Sequence, residues 1–197
     1  MGDAWEQHAD EWITWARESR YDGFESGTWP ELRAVLPPPD GLVVEIGCGE
    51  GRVARALMRL GHRVIGIELS PRLASAAHLS NPPVHVVRAD GAAVPLAGEV
   101  ARLVVACMSL QDIDDLTTTV AEAARVLQTG GQFCMAIVHP FASAEDQSPM
   151  DKDVRIVSQP YLRERRYENR IAVDGIGMTF VSQHLSLIHI SEPTRPY

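Results

Sequence analysis

The chain has 197 residues, 45% apolar and 22% charged, with a formal net charge of −8. This is ordinary for one globular domain with a full core, and the acidity disfavours extended nucleic-acid contact, which relies on basic groups against phosphates. Cys48, Cys107 and Cys134 are odd in number, far apart and without metal-ligand spacing. They read as reduced core thiols of a cytoplasmic protein with no metal site.

Residues 4–20 have helical spacing, with Trp5, His8 and Trp12 on one face. The acidic, tryptophan-rich start carries no signal-peptide pattern, and no stretch reaches the roughly 20 apolar residues of a bilayer span. Residues 21–30 read as loop, and Pro30 opens a short helix to Val35. Pro37-Pro38-Pro39-Asp40-Gly41 is a breaker, so residues 1–40 are expected to form an N-terminal helical cap.

From residue 41 to 139 the chain alternates. Strand Leu42–Ile46 precedes helix Arg52–Leu60, which Gly61 closes. Strand Arg63–Ile67 precedes a helix from Pro71 capped by Ser70. Strand Val84–Arg88 leads to a loop with Asp90. Strand Arg102–Met108 leads to a helix over 116–127, capped by Asp115 and ended by Gly130-Gly131. Strand Gln132–Val138 closes the series. Apolar strands separated by helices predict a three-layer α/β fold, a parallel Rossmann-like sheet with helices on both faces. Ligand then belongs at the carboxyl ends of the strands.

Residues 140–184 read as a substrate-side loop and an antiparallel hairpin turning at Asp174-Gly175. Residues 185–197, from Leu185-Ser186-Leu187-Ile188, resemble the conceptual translation of a sequencing-library adapter and are expected to be non-native.

The first strand ends in Glu45, and Gly47, Gly49 and Gly51 follow at alternate positions before a helix. Glycines so spaced let backbone pass close under a ligand. A pyrophosphate loop offers bare N–H groups, whereas an acid at its root suits a cationic cofactor. The dinucleotide fingerprint needs a glycine at its sixth position, where Arg52 or Ala54 stands, and no nucleoside-triphosphate loop occurs.

With Glu45, Gly47, Gly49, Gly51, Glu68 and Asp90 in this order, the chain resembles the class I S-adenosylmethionine-dependent methyltransferases, specifically their small-molecule, type-eleven-like group. The resemblance implies S-adenosylmethionine as cofactor and methyl transfer to a small O, N or C nucleophile. The family completes its sheet with further strands, which this chain is expected to lack. It places Glu45 on the amino end of the cofactor, with Gly47, Cys48, Gly49 and Gly51 forming the loop beside it. Glu68, 21 residues after Gly47, is placed on the ribose hydroxyls, whose two donors match an acceptor-only carboxylate. Asp90 with Gly91 goes to the adenine amino group, Leu69 and Met108 to apolar walls, and Tyr21 near the cofactor carboxylate.

Two acceptor-side candidates follow, Gln111 after the fourth strand and His139 after the fifth. Histidine is the usual proton acceptor near neutrality, yet His139 also fits a turn residue bonded to backbone. Asp112, Asp114 and Asp115 read as caps of the next helix rather than as chemistry. Alternatives are a nicotinamide-dinucleotide oxidoreductase and a non-catalytic S-adenosylmethionine-binding partner protein. The oligomeric state is not encoded in any motif.

Overall fold

The computed structural model describes residues 1–18, 22–144, 159 and 161–186. The N-terminal stretch forms two helices, α1 (Gly2–Gln7) and α2 (Ala9–Arg17), rather than one. His8 breaks the helix at φ −100°, ψ 12°. Tertiary contacts re-aim the chain there: Trp5 Nε1 donates to the Val181 carbonyl (3.1 Å), and the Trp5 and Trp12 rings meet edge to face at 5.8 Å. A π-helical turn (Phe24–Thr28) leads into α3 (Trp29–Val35).

The core follows as β1 (Leu42–Ile46), α4 (Arg52–Arg59), β2 (Arg63–Glu68), α5 (Pro71–His78), β3 (His85–Arg88) and β4 (Ala101–Cys107). A 3₁₀ turn (Leu110–Asp112), α6 (Leu116–Val126), β5 (Leu127–Ala136) and α7 (Pro140–Ala144) come next. The expected caps are in place: Ser70 Oγ accepts from the Leu73 amide, and the Asp115 carboxylate accepts from Thr118 N. Gly61, at φ +95°, follows α4 in the left-handed conformation that ends helices.

One boundary differs. Gly130-Gly131 lie inside β5 instead of ending α6, because Leu127 turns extended at once and pairs with Ala101. The next pair is Leu103 with Gln132, so residues 128–131 bulge out. A Cβ on Gly131 would lie 2.9 Å from the Gln128 carbonyl oxygen. The glycine pair serves the bulge.

The five strands are parallel in the order β3-β2-β1-β4-β5, with helices on both faces. Alternation along the strands divides the core. Val43, Leu103 and Val105 pack with Leu57, Val64 and Trp29 on one face. Val44, Val104 and Ala106 pack with Ile67, Ala123 and Val126 on the other. The order reverses between β1 and β4, which opens a crevice at their carboxyl ends. Among the described residues β5 is an edge strand.

The last two strands, β6 (Arg165–Val173) and β7 (Ile176–His184), form the expected hairpin. Asp174 and Gly175 both have positive φ (51° and 81°), as a two-residue hairpin turn with native twist requires. The hairpin does not extend the sheet. It packs on α2, where Trp15, Met178 and Phe180 form a third apolar cluster. Helices α1 and α2 and the hairpin thus make one cover over the crevice.

Candidate functional site

Beneath that cover lies a crevice of about 750 Å3, lined by the loop after β1, the ends of β2 and β4, the Asp90 loop, the 3₁₀ turn and the hairpin. Of the residues singled out in the sequence, Glu45, Gly47, Cys48, Gly49, Glu68, Leu69, Asp90, Gly91, Met108 and Gln111 line it. Tyr21 lies outside the described residues.

The glycine loop is tied to β2. Gly47 N and Cys48 N both donate to the Ile67 carbonyl (2.9 and 3.1 Å). Glu68 completes the clamp: one carboxylate oxygen accepts from Gly49 N at 2.8 Å, the other from Ser70 N at 2.9 Å. The Leu69 amide adds a third backbone donor, and a carboxylate with about four acceptor sites keeps capacity for a hydroxyl donor from the crevice. Burial pushes the Glu68 carboxyl up, against these backbone bonds.

Gly47 sits at φ +68°, and a Cβ there would lie 2.6 Å from Ser109 Cβ. The glycine is needed by a protein neighbour, where the sequence suggested the ligand. Likewise a Cβ on Gly49 would come within 3.1 Å of Trp12 Nε1, which brings the cap onto the loop. Gly51 is the left-handed N-cap of α4 and faces Val84, Ala77 and Arg55, away from the crevice lining.

Glu45 is 2% exposed. The Ala54 backbone N–H donates a hydrogen bond to the carboxyl, but Oε2 is buried with no hydrogen-bond partner among the described residues. Burial first, then the neighbouring Glu68 and Glu50 carboxylates, raise its pKa well above the ordinary range. Arg55 offsets this only in part, being paired with Glu50, so a buried carboxyl oxygen without a partner at a cavity is an unmet demand for a cation or a hydrogen-bond donor. Its neighbour Glu50 has no such demand, since Arg55 (2.6 Å) and Arg17 (3.2 Å) pair with it. Cys48, under the loop, is held in the thiol form by burial and by Glu45. The Cys107 thiol is pushed up to about 12, mainly by burial.

Asp90 is exposed at the crevice rim, and one of its oxygens accepts from Ala92 N at 2.9 Å. Leu69 and Met108 are exposed apolar surface there, 44% and 37%. Met108 has φ 56°, a left-handed conformation uncommon for a side chain other than glycine. No sequence signal marked it. Gln111 Nε2 donates to the Met108 carbonyl at 2.7 Å, and Gln111 Oε1 is buried without a partner among the described residues.

His139 is exposed on the other side of β5's end. Its Nδ1 accepts from Phe141 N at 3.2 Å and its ring stacks on Phe141. It does not line the crevice. The turn role is the one this geometry satisfies.

Two lining residues escaped the sequence. Arg52, at the start of α4, projects over the Phe24 ring (4.0 Å to the centroid) and pairs with Asp22 at 2.5 Å. It places a cation beside the acidic loop. Asp112 lies on the 3₁₀ turn and opens into the crevice, where Ser182 Oγ donates to it at 2.6 Å. Only Asp115 among the three aspartates caps α6; Asp114 instead ties down the chain's amino group at 2.8 Å, and Arg166.

These residues fit S-adenosylmethionine: the unpartnered Glu45 oxygen would take an ammonium, Glu68 and Asp90 offer further acceptors, and Leu69 and Met108 offer apolar surface. Among the described residues there is no group of side chains able to hold a metal ion, and no helix long and apolar enough to cross a membrane.

Residues 44–135 match a family described as a methyltransferase domain. A malonyl-[acyl-carrier protein] O-methyltransferase of Enterobacter lignolyticus is 34% identical over 45% of this chain and 36% of its own. A ubiquinone biosynthesis O-methyltransferase of Xanthomonas axonopodis pv. citri is 29% identical over 66% of this chain and 54% of its own. The chain therefore spans about half or less of the length of these relatives. A solved methyltransferase from Thermotoga maritima, described as a possible histamine N-methyltransferase, superposes with a TM-score of 0.57 and 27% identity. That match covers 70% of this chain and 62% of the other. Over residues 44–135 the chain is thus similar to a methyltransferase domain, and its fold is similar to that of a solved S-adenosylmethionine-dependent methyltransferase.

Proposed function

We propose that the chain transfers a methyl group from S-adenosylmethionine to a small-molecule nucleophile. The observation that carries this is the buried Glu45 carboxyl, whose Oε2 has no partner among the described residues, at the root of a glycine loop that Glu68 holds. A pyrophosphate would meet acids there, whereas a cationic cofactor meets complementary charge.

The cofactor supplies an electrophilic methyl on sulphonium. Glu45 holds its amino end, Arg52 its carboxylate, Glu68 the ribose hydroxyls and Asp90 the adenine amino group. Leu69 and Met108 form the apolar walls. Gly47, Cys48, Gly49 and Gly91 supply backbone and close packing, and Gly51 fixes the helix behind them. Tyr21 is retained as a further cofactor contact by the resemblance alone. On the acceptor side, Gln111 faces the crevice from the turn after β4.

The cap of α1, α2 and the hairpin excludes water and aligns the acceptor, which is where most of the rate enhancement for an already activated methyl donor arises. A dedicated base is not required of every acceptor, which accords with His139 standing outside the lining. The partner is a small molecule rather than nucleic acid, consistent with the net charge of −8.

Incubation with methyl-tritiated S-adenosylmethionine and a panel of phenols, amines and acidic-carbon compounds tests this. Label is expected in one class of acceptor. Saturable binding of S-adenosylhomocysteine with no label in any class would instead support a non-catalytic binding protein.

A further inference from the structure

Gln111 and Asp112 present an acceptor-rich corner that the cofactor contacts above do not use. Gln111 is 4% exposed. Its amide orientation is fixed, because Nε2 donates to the Met108 carbonyl at 2.7 Å and a flipped amide would set oxygen against oxygen. That leaves Oε1 enclosed and without a donor among the described residues. A native fold seldom leaves such an atom unpaired, and each one asks for an explanation.

Asp112, the next residue, has Ser182 Oγ as its one side-chain hydrogen bond among the described residues. A carboxylate accepts about four hydrogen bonds, so most of its capacity is open towards the crevice. Burial pushes its carboxyl well above the ordinary range, with Glu68 adding to the rise. Among the described residues, Glu68 acts on it across the crevice and Tyr167 on β6 lies within its field. Arg165 lies over the Tyr167 ring at 5.2 Å and bonds the Ser143 carbonyl through one guanidinium nitrogen, while its buried Nε has no partner among the described residues.

The same crevice has apolar and aromatic lining: Trp5, Phe180, Ile171 and Ile113 line it with Met108. Trp12 and Phe180 already meet edge to face at 6.2 Å, a packing that a further ring can join. We propose that Asp112 and Gln111 recognise the acceptor, taking hydrogen bonds from the hydroxyl of a neutral aromatic substrate whose ring lies on Trp5 and Phe180. Two open acceptors select a donor, and a site built to hold a donor rejects the analogue that lacks it far more strongly than an apolar pocket rejects an extra methyl. The inference rests on the methyl-transfer reading and names its acceptor class.

Calorimetric titration of the full chain, with and without S-adenosylhomocysteine, separates the two claims. Catechol is expected to bind, and its dimethyl ether at least tenfold more weakly. Asp112→Asn, which keeps an oxygen for Ser182, is expected to weaken catechol at least tenfold and to change S-adenosylhomocysteine affinity less than twofold. A dimethyl ether that binds as well as catechol, an Asp112→Asn variant that binds catechol like the parent, or benzylamine binding more tightly than catechol would each overturn the proposal. Failure of S-adenosylhomocysteine to bind, with catechol discrimination intact, would overturn the cofactor reading and leave this one standing.

Discussion

Glu45→Gln is expected to make the protein more stable and a poorer binder at once. The side chain is 2% exposed, with Oε2 unpartnered and two further carboxylates acting on it. Glutamine keeps the shape and the oxygen that Ala54 bonds, and removes the ionisable group. Because burial and the two neighbouring carboxylates raise its native pKa well above the ordinary range, ionisation of this carboxyl opposes folding as pH rises above the unfolded value. The new amide introduces N–H groups with incomplete partners, worth about 1 kcal/mol or more. The net expected gain at pH 8 is on the order of 1 kcal/mol, or roughly 2–4 °C in Tm for a chain of this size.

The sign follows from linkage. The native pKa is raised, so the destabilisation is absent below the unfolded value and grows as pH rises above it. Below about pH 4 the gain should vanish, leaving the variant no more stable than the parent. Affinity for S-adenosylhomocysteine should fall about 10- to 150-fold, the equivalent of one lost hydrogen bond to a charged group at about 1.5–3 kcal/mol. Thermal melts from pH 4 to 8 and calorimetry measure both. A Glu45→Gln protein that is less stable at pH 8 and binds like the parent would refute the reasoning.

Glu68→Gln should behave oppositely in stability, because both of its oxygens already hold backbone amides. One amide would then face an NH2 group, lowering stability by about 1–3 kcal/mol in urea unfolding, with S-adenosylhomocysteine affinity reduced at least tenfold; an unchanged midpoint would contradict the clamp. Gly47→Ala places a Cβ 2.6 Å from Ser109 Cβ at φ +68°. Left-handed strain and overpacking together predict a loss of about 2–4 kcal/mol, and an unaltered melting temperature would show that the loop relaxes freely.

Much of this architecture could be read from local chemistry. Ser70 and Asp115 cap their helices because short oxygen-bearing side chains meet orphan amides wherever they occur. The strand–helix alternation over 42–136 is local too, and so is the acid–glycine run that lines the crevice. What escaped depends on distant partners. His8 looks helical, but the Trp5 indole reaches Val181, 176 residues away, and the helix divides there. Gly130-Gly131 looks like a helix stop, yet β4 claims Leu127 first. The loop glycines are required by Ser109 and Trp12, neither of which is near them in sequence. Asp112 is indistinguishable from Asp115 in a list of residues, and only the 3₁₀ turn and Ser182 separate their roles.

Titration of the full chain with S-adenosylhomocysteine, in parallel with NADH, puts the charge-complementarity of the crevice to the most direct test. Saturable one-site binding of the thioether nucleoside, displaced by S-adenosylmethionine and absent for NADH, is the predicted result. Binding of NADH with no heat from S-adenosylhomocysteine would contradict it.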